Sequence, residues 1–248
     1  MFCLRTFSLK LLVPVLVLLS LKAHAEKPTT IKLSTFQIPL MVESPTKGLF
    51  IALTKEIARK QKLQIQIEMM PVAKSLLAFS SGEVDGFFPA HDLSVSKDAA
   101  RSILFYEKID YIFYRKDHKP LITIKDLEGK KVGLTFRFTY PSTIMNNKRV
   151  NIEYAPDDIE NMKKLGNGDI DAFIAEERSG LKALELSKMS NVSYDKKTPF
   201  SKMSVYYAFQ NTEKGKKLAQ DFTQAIESLK SSGVYDQIIF NLPPKILE

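Results

Sequence analysis

The chain has 248 residues, with 36 Lys and Arg against 28 Asp and Glu, for a formal charge of +8. The basic residues are scattered along the chain, which argues against the clustered stripe that a nucleic-acid partner requires. The single cysteine, Cys3, excludes a disulfide framework and any multi-cysteine metal site.

The chain opens with a pattern expected of an export signal. Arg5 and Lys10 give a positive start, and an apolar run from Leu11 to Leu21 is broken only by Pro14 and Ser20. Ala23-His24-Ala25 then offers small residues at the cleavage positions. The run is well short of the ~20 residues a membrane-spanning helix needs, so cleavage before Glu26 is expected. Cys3 leaves with the signal, as do Arg5, Lys10 and Lys22, so the mature chain has 33 basic residues against 28 acidic ones, a net +5. A periplasmic location follows from this reading.

Beyond the signal, strand-like and helix-like segments alternate. Ile31 to Phe36 reads as a strand, Gly48 to Gln61 has the helical spacing of Leu49, Leu53 and Ile57, and Leu63 to Glu68 alternates apolar and polar residues. Pro71 opens a helix to Ser81, and a strand from Val84 to Pro89 follows. Ile109 to Tyr114 is a further strand, and Ile124 to Leu134 reads as a short helical turn, a glycine stop and a new strand. A second α/β unit begins there. It takes a helix from Pro141 to Asn147, a strand from Val150 to Tyr154, a helix from Asp157 to Leu165 and a strand from Ile170 to Ala175. A helix from Glu176 to Lys188, an aromatic strand from Ser204 to Phe209 and a helix from Glu213 to Lys230 complete the chain, with one short helix after Gly233.

One phrase occurs in both units. Ser81-Gly82-Glu83-Val84-Asp85-Gly86 and Asn167-Gly168-Asp169-Ile170-Asp171-Ala172 each stop a helix at glycine and enter an apolar strand. Two similar lobes are therefore expected: residues 26–114 with 210–248, and residues 115–209. The strands Ile109 to Tyr114 and Ser204 to Phe209, both rich in aromatic residues, are expected to cross between them.

The signal, the order of elements, both glycine joints, Asp126-Leu127-Glu128-Gly129-Lys130-Lys131-Val132-Gly133 and Ser232-Gly233-Val234-Tyr235-Asp236 together resemble the extracellular solute-binding proteins of family 3. The resemblance covers essentially the whole mature chain. It implies the α/β type II periplasmic-binding-protein fold, each lobe a mostly parallel sheet flanked by helices, the two joined by crossing strands. It also implies a monomeric receptor that closes on a small polar solute, an amino acid or related zwitterion, and delivers it to an ABC permease. No cofactor is expected.

The family's contacts carry over residue by residue. Glu176 stands after the Asp171-Ala172 strand, where relatives hold a ligand ammonium; by itself it also reads as a helix-start carboxylate. The loop Gly133 to Pro141 lacks the glycine at which the backbone usually meets a ligand carboxylate, so Arg137 is a candidate substitute and Thr139 either a contact or a helix cap. In the first lobe Arg101 lies near, but out of register with, the usual carboxylate arginine, and Lys74 stands where many relatives have an arginine. Ala90 and His91 follow the first joint's strand into the crevice, and Phe36 ends the first strand. Two other readings compete. A membrane signalling protein instead of a permease is a possible partner, and a dehydratase-like enzyme on the same fold would use Glu176, His91 and Lys74 as acids and bases. Against the enzyme, the chain has no nucleophile elbow, phosphate loop or zinc pattern.

Overall fold

A computed structural model describes residues 30–241; the expected export signal lies outside them. The first lobe is built from β1 (Thr30–Thr35), α1 (Leu49–Gln61), β2 (Gln64–Met69), α2 (Val72–Ser80) and β3 (Gly86–Ala90). β1 runs parallel to both β2 and β3, so each helix is a crossover. The helical spacing of α1 buries Phe50, Ile51, Leu53 and Ile57 against the sheet, and Lys62, left-handed at φ 54°, ends the helix. A short strand β4 (Ala100–Arg101) and the long β5 (Tyr106–Arg115) follow.

The second lobe repeats the plan. It contains β6 (Lys131–Thr135), α3 (Ser142–Met145), β7 (Asn151–Ala155), α4 (Asp158–Asn167), β8 (Ala172–Glu176), α5 (Glu177–Ser187) and β9 (Val192–Tyr194). β10 (Ser201–Phe209) then leads back, and α6 (Glu213–Ser231) and α7 (Val234–Phe240) pack on α1 of the first lobe. The strands run in the order β2-β1-β3-β10-β5-β8-β6-β7. β5 and β10 form the connection. Residues Ser201 to Val205 of β10 pair antiparallel with Tyr106 to Asp110 of β5, while Tyr206 to Phe209 pair with β3. Asp110 to Tyr114 of β5 go on to pair with β8.

The two glycine joints do the same job in each lobe. Gly82 and Gly168 take positive φ of 78° and 86°, and the aspartate three residues later closes a two-bond ring with the neighbouring central strand. Asp85 accepts from the Lys32 amide at 2.9 Å and donates its own amide to the Lys32 carbonyl; Asp171 does both with Lys131, its carboxylate also at 2.9 Å. Each carboxylate thus accepts from a backbone amide of a neighbouring central strand, at the third residue of β1 and the first of β6. The aspartate of the repeated phrase sets strand register, and the glycine lets the helix stop there.

Three apolar clusters divide along the same lines. One gathers residues 31–106 and 205–239, with Leu33, Phe88 and Phe222 at its centre. The other two lie on opposite faces of the second sheet, around Phe113 and Phe173 and around Leu134 and Ile174. Most expected elements are present within one to three residues of their expected ends. β4 and β9 are not foreseen, because two or three residues are too few to show a period. β5 begins at Tyr106, three residues before the expected start, since Tyr106-Glu107-Lys108 mixes polar and apolar residues like a loop.

Candidate solute site

The carboxyl ends of β1 and β3 face those of β6 and β8 across the start of β5, and between them lies a cavity of about 60 Å³. Crevices at strand carboxyl ends are the usual binding position in open α/β sheets. At about 10–15 Å³ per water-sized sphere, the space holds a compound of a few heavy atoms. Its apolar walls come from both lobes. Phe36, just past β1, stacks on Phe87 at 6.0 Å between centroids and meets Phe138 of the second lobe at 5.6 Å.

The polar wall begins with Glu176. It is the last residue of β8 and the N-cap of α5: its Oε2 accepts from the Ser179 amide at 2.7 Å. Its Oε1 accepts from the Tyr106 hydroxyl at 2.7 Å. The residue is 8 % exposed, and burial raises the carboxylate's pKa against the pull of those two donors. Each oxygen keeps a lone pair beyond the bond it accepts. The capping and ligand-facing readings of Glu176 are thus compatible, because the cap fixes the side chain at the cavity wall.

The two-residue repeat of β5 places Tyr106, Lys108 and Asp110 on one face, toward the cavity. Asp110 is fully buried; it accepts from the Lys108 ammonium and, at 2.6 Å, from the Ser201 hydroxyl. Lys108 also donates to the Thr139 carbonyl at 3.3 Å and lies 5.3 Å from the Tyr140 ring centroid. Behind it, Asp158 accepts from the Thr135 hydroxyl, and burial raises its pKa to about 6. His91 is also buried; its Nδ1 lies 3.1 Å from the Ser204 carbonyl, which fixes the neutral tautomer with Nδ1 as donor. Burial, with Lys108 near, lowers its pKa to about 4.

Of the residues singled out from sequence, Phe36, His91, Arg137, Thr139 and Glu176 line the cavity. Thr139 meets Lys108 through its carbonyl, and Arg137, exposed with φ 64°, lies 4.9 Å over the Phe136 ring. The other three stand elsewhere. Lys74 is exposed on α2; Ala90 is fully buried within β3, opposite Tyr206, because the strand runs one residue further than its pattern shows. Arg101 is held away by Asp92 Oδ1 at 3.0 Å, the Ser96 carbonyl at 3.0 Å and the Tyr206 ring at 4.9 Å. We therefore expect Arg101→Ala to change solute affinity by less than about threefold, under ~0.7 kcal/mol, in calorimetric titration; a tenfold loss would place Arg101 at the solute. Sequence reading did not reach Tyr106, Lys108, Asp110, Tyr140 and Asp158. The alternation of Tyr106, Lys108 and Asp110 is the signal that would have found the first three.

Two α/β lobes joined by paired strands, with a cavity at facing strand ends, define the type II periplasmic-binding-protein fold. Solved structures agree. An ancestral arginine-binding protein bound to arginine superposes with a TM-score of 0.73 at 21% identity, over 86% of this chain and 97% of the other. A histidine kinase sensor domain with similarity to periplasmic binding proteins superposes with a TM-score of 0.72 at 18% identity, over 87% and 96%. In sequence, the chain is 25% identical over 201 residues to a probable histidine-binding protein of Campylobacter jejuni, covering 79% of this chain and 77% of that protein. No family model matches the chain. The motifs, the fold and this relative all carry the resemblance to the extracellular solute-binding proteins of family 3. The C. jejuni relative and the ancestral protein are named as binding proteins, not as enzymes.

Proposed function

We propose that the protein is an exported, monomeric periplasmic receptor that closes its two lobes on a small polar solute carrying a protonated amine. The amino acids and related zwitterions are the class its family resemblance implies. The observation that carries this reading is the buried Glu176 carboxylate, fixed at the cavity wall by the Ser179 amide and the Tyr106 hydroxyl. Phe36 and Phe138 face one another across the same cavity from the two lobes. An ammonium placed there gains charge-assisted hydrogen bonds to Glu176 and an aromatic surround. Phe36 comes from one lobe and Glu176 from the other, so a solute touching both favours the closed arrangement over an open one and shifts the population toward it. β5 and β10 are the hinge in this reading, with the lobes divided near residues 114 and 210.

The closed form is then handed to a membrane partner, which we take to be an ABC permease. The likeness to a histidine kinase sensor domain supports a second reading, in which the partner is a signalling protein. Purified protein tested by thermal melting against amino acids, amines and organic acids separates receptor from non-receptor. A compound at a hundredfold excess over its Kd contributes about 2.7 kcal/mol, which for a chain of this size raises Tm by about 5–10 °C. No rise with any compound would defeat the proposal. Stimulated ATP hydrolysis by a reconstituted permease, set against stimulated kinase activity, distinguishes the two partners.

A further inference from the structure

Two side chains at the start of α5 reach from the second lobe to the first. Glu176 does so through the Tyr106 hydroxyl, and Arg178 stands beside that same hydroxyl. We infer that Arg178 is a positioning residue, which sets the Glu176 carboxylate for the solute and fastens the lobes in the closed arrangement; this rests on the receptor reading above and deepens it.

Tyr106 supplies the first half of the argument. Its ring belongs to the core of the first lobe, 5.2 Å between centroids from Phe50 of α1, while its hydroxyl donates to Glu176 Oε1 at 2.7 Å. Burial and then Glu176 raise the Tyr106 pKa, and Arg178 pulls it down by charge and by hydrogen bonding. A guanidinium only donates, whereas a phenol has one hydrogen to give and lone pairs to accept with. With Arg178 on its accepting side, the Tyr106 hydroxyl turns its hydrogen to Glu176. The Arg178 amide favours the ionised Glu176 carboxylate as well. Arg178 is not part of the cavity wall, yet it orders the pair of side chains that is.

The second half comes from α7, which packs on α1 in the first lobe. Arg178 Cζ lies 5.8 Å from the centroid of the Phe240 ring, within cation–π range. It is also near Tyr235, whose pKa burial and Asp236 raise and Arg178 lowers. The Tyr235 hydroxyl donates to the carbonyl of Phe105, so α7 is tied to the residue just before Tyr106. Tyr106, Tyr235 and Phe240 thus surround one cation of the second lobe with groups of the first. These contacts coexist with Phe36 meeting Phe138 across the cleft, so they belong to the closed arrangement. One guanidinium nitrogen, Nη1, is buried without a hydrogen-bond partner among the described residues. A buried donor left unpaired costs stability, which points to a use other than holding the fold.

The test uses four variants of the exported protein: Arg178→Met, Arg178→Lys, Tyr106→Phe and Arg178→Met combined with Tyr106→Phe. Met keeps the apolar stem of the side chain but neither its charge nor its donors, and Lys restores both. In small-angle scattering with no compound added, Arg178→Met should have a larger radius of gyration than the unaltered protein, and Arg178→Lys should recover most of the difference. Calorimetric titration then uses the compound of the panel above that raises Tm most. Arg178→Met should weaken its binding about tenfold alone and less than about twofold in the Tyr106→Phe background, with Arg178→Lys within about threefold of the unaltered protein. Unchanged compactness and affinity in Arg178→Met, or equal losses in both backgrounds, would overturn the inference and leave the receptor reading intact. A panel without a binder overturns the receptor reading, and the scattering, which needs no compound, still decides whether Arg178 fastens the lobes.

Discussion

Glu176→Gln lowers the affinity for a protonated-amine solute on the order of a hundredfold, about 3 kcal/mol, while the unliganded protein melts nearly where it did before. The loss follows from removing one partner of a buried charge pair, which leaves the solute ammonium desolvated and unmatched. The melt is spared because the amide oxygen of glutamine can still accept from the Ser179 amide, so the start of α5 keeps its cap. Glu176→Ala is the less informative change, since it removes the cap together with the charge and costs roughly 1 kcal/mol of stability by that route alone. Calorimetric titration of the Gln variant with the tightest-binding compound checks the prediction. Affinity within about threefold of the unaltered protein would remove Glu176 from the site.

The second large effect is on stability against pH. Asp158 has its pKa raised by burial to about 6 from 3.8, with Lys108 and the Thr135 hydroxyl pulling it down and Glu176 pushing it up. A carboxyl group raised in this way contributes stability that is fully present below pH 3.8 and is lost as pH rises through 6. His91 does the opposite. Burial lowers its pKa to about 4 from 6.5, with Lys108 adding to the drop and Asp110 and Asp92 opposing it, so its contribution is present above pH 6.5 and is lost as pH falls through 4. The two nearly offset one another between pH 4 and 6. Asp158→Asn removes one side of that balance. The variant's stability relative to the unaltered protein should therefore improve by about 3 kcal/mol between pH 4 and pH 7, at about 1.4 kcal/mol per pK unit. Urea denaturation at half-unit pH steps checks it, and parallel stability curves for the two proteins would show that Asp158 titrates normally in the fold.

Much of the architecture was legible because it rests on local rules. Gly82 and Gly168 marked the same joint twice, and the structure adds why an aspartate follows each: Asp85 and Asp171 each accept from a backbone amide of a neighbouring central strand. The long amphipathic segment from Glu213 forms α6, and the aromatic strand from Ser204 lies within β10. Glu176 could be placed because its position is tied to the end of a recognisable strand.

What could not be read depends on contacts between segments far apart in sequence. Tyr106, Lys108 and Asp110 reach the cavity only because β5 starts early, and its start is fixed by pairing with Ser201 to Val205, about a hundred residues away. Arg101 looked available because nothing in the chain order shows Tyr206 and Asp92 gathering around it. The Tyr140 hydroxyl taking the Thr135 amide is likewise a tertiary contact.

The most direct test of the account is a crystal structure of the protein with its tightest-binding compound. We expect the compound between the lobes, its charged nitrogen within hydrogen-bond reach of Glu176 and its body against Phe36 and Phe138. A compound seated outside the cavity, or inside it with Glu176 bonded only to Tyr106 and Ser179, would contradict the account.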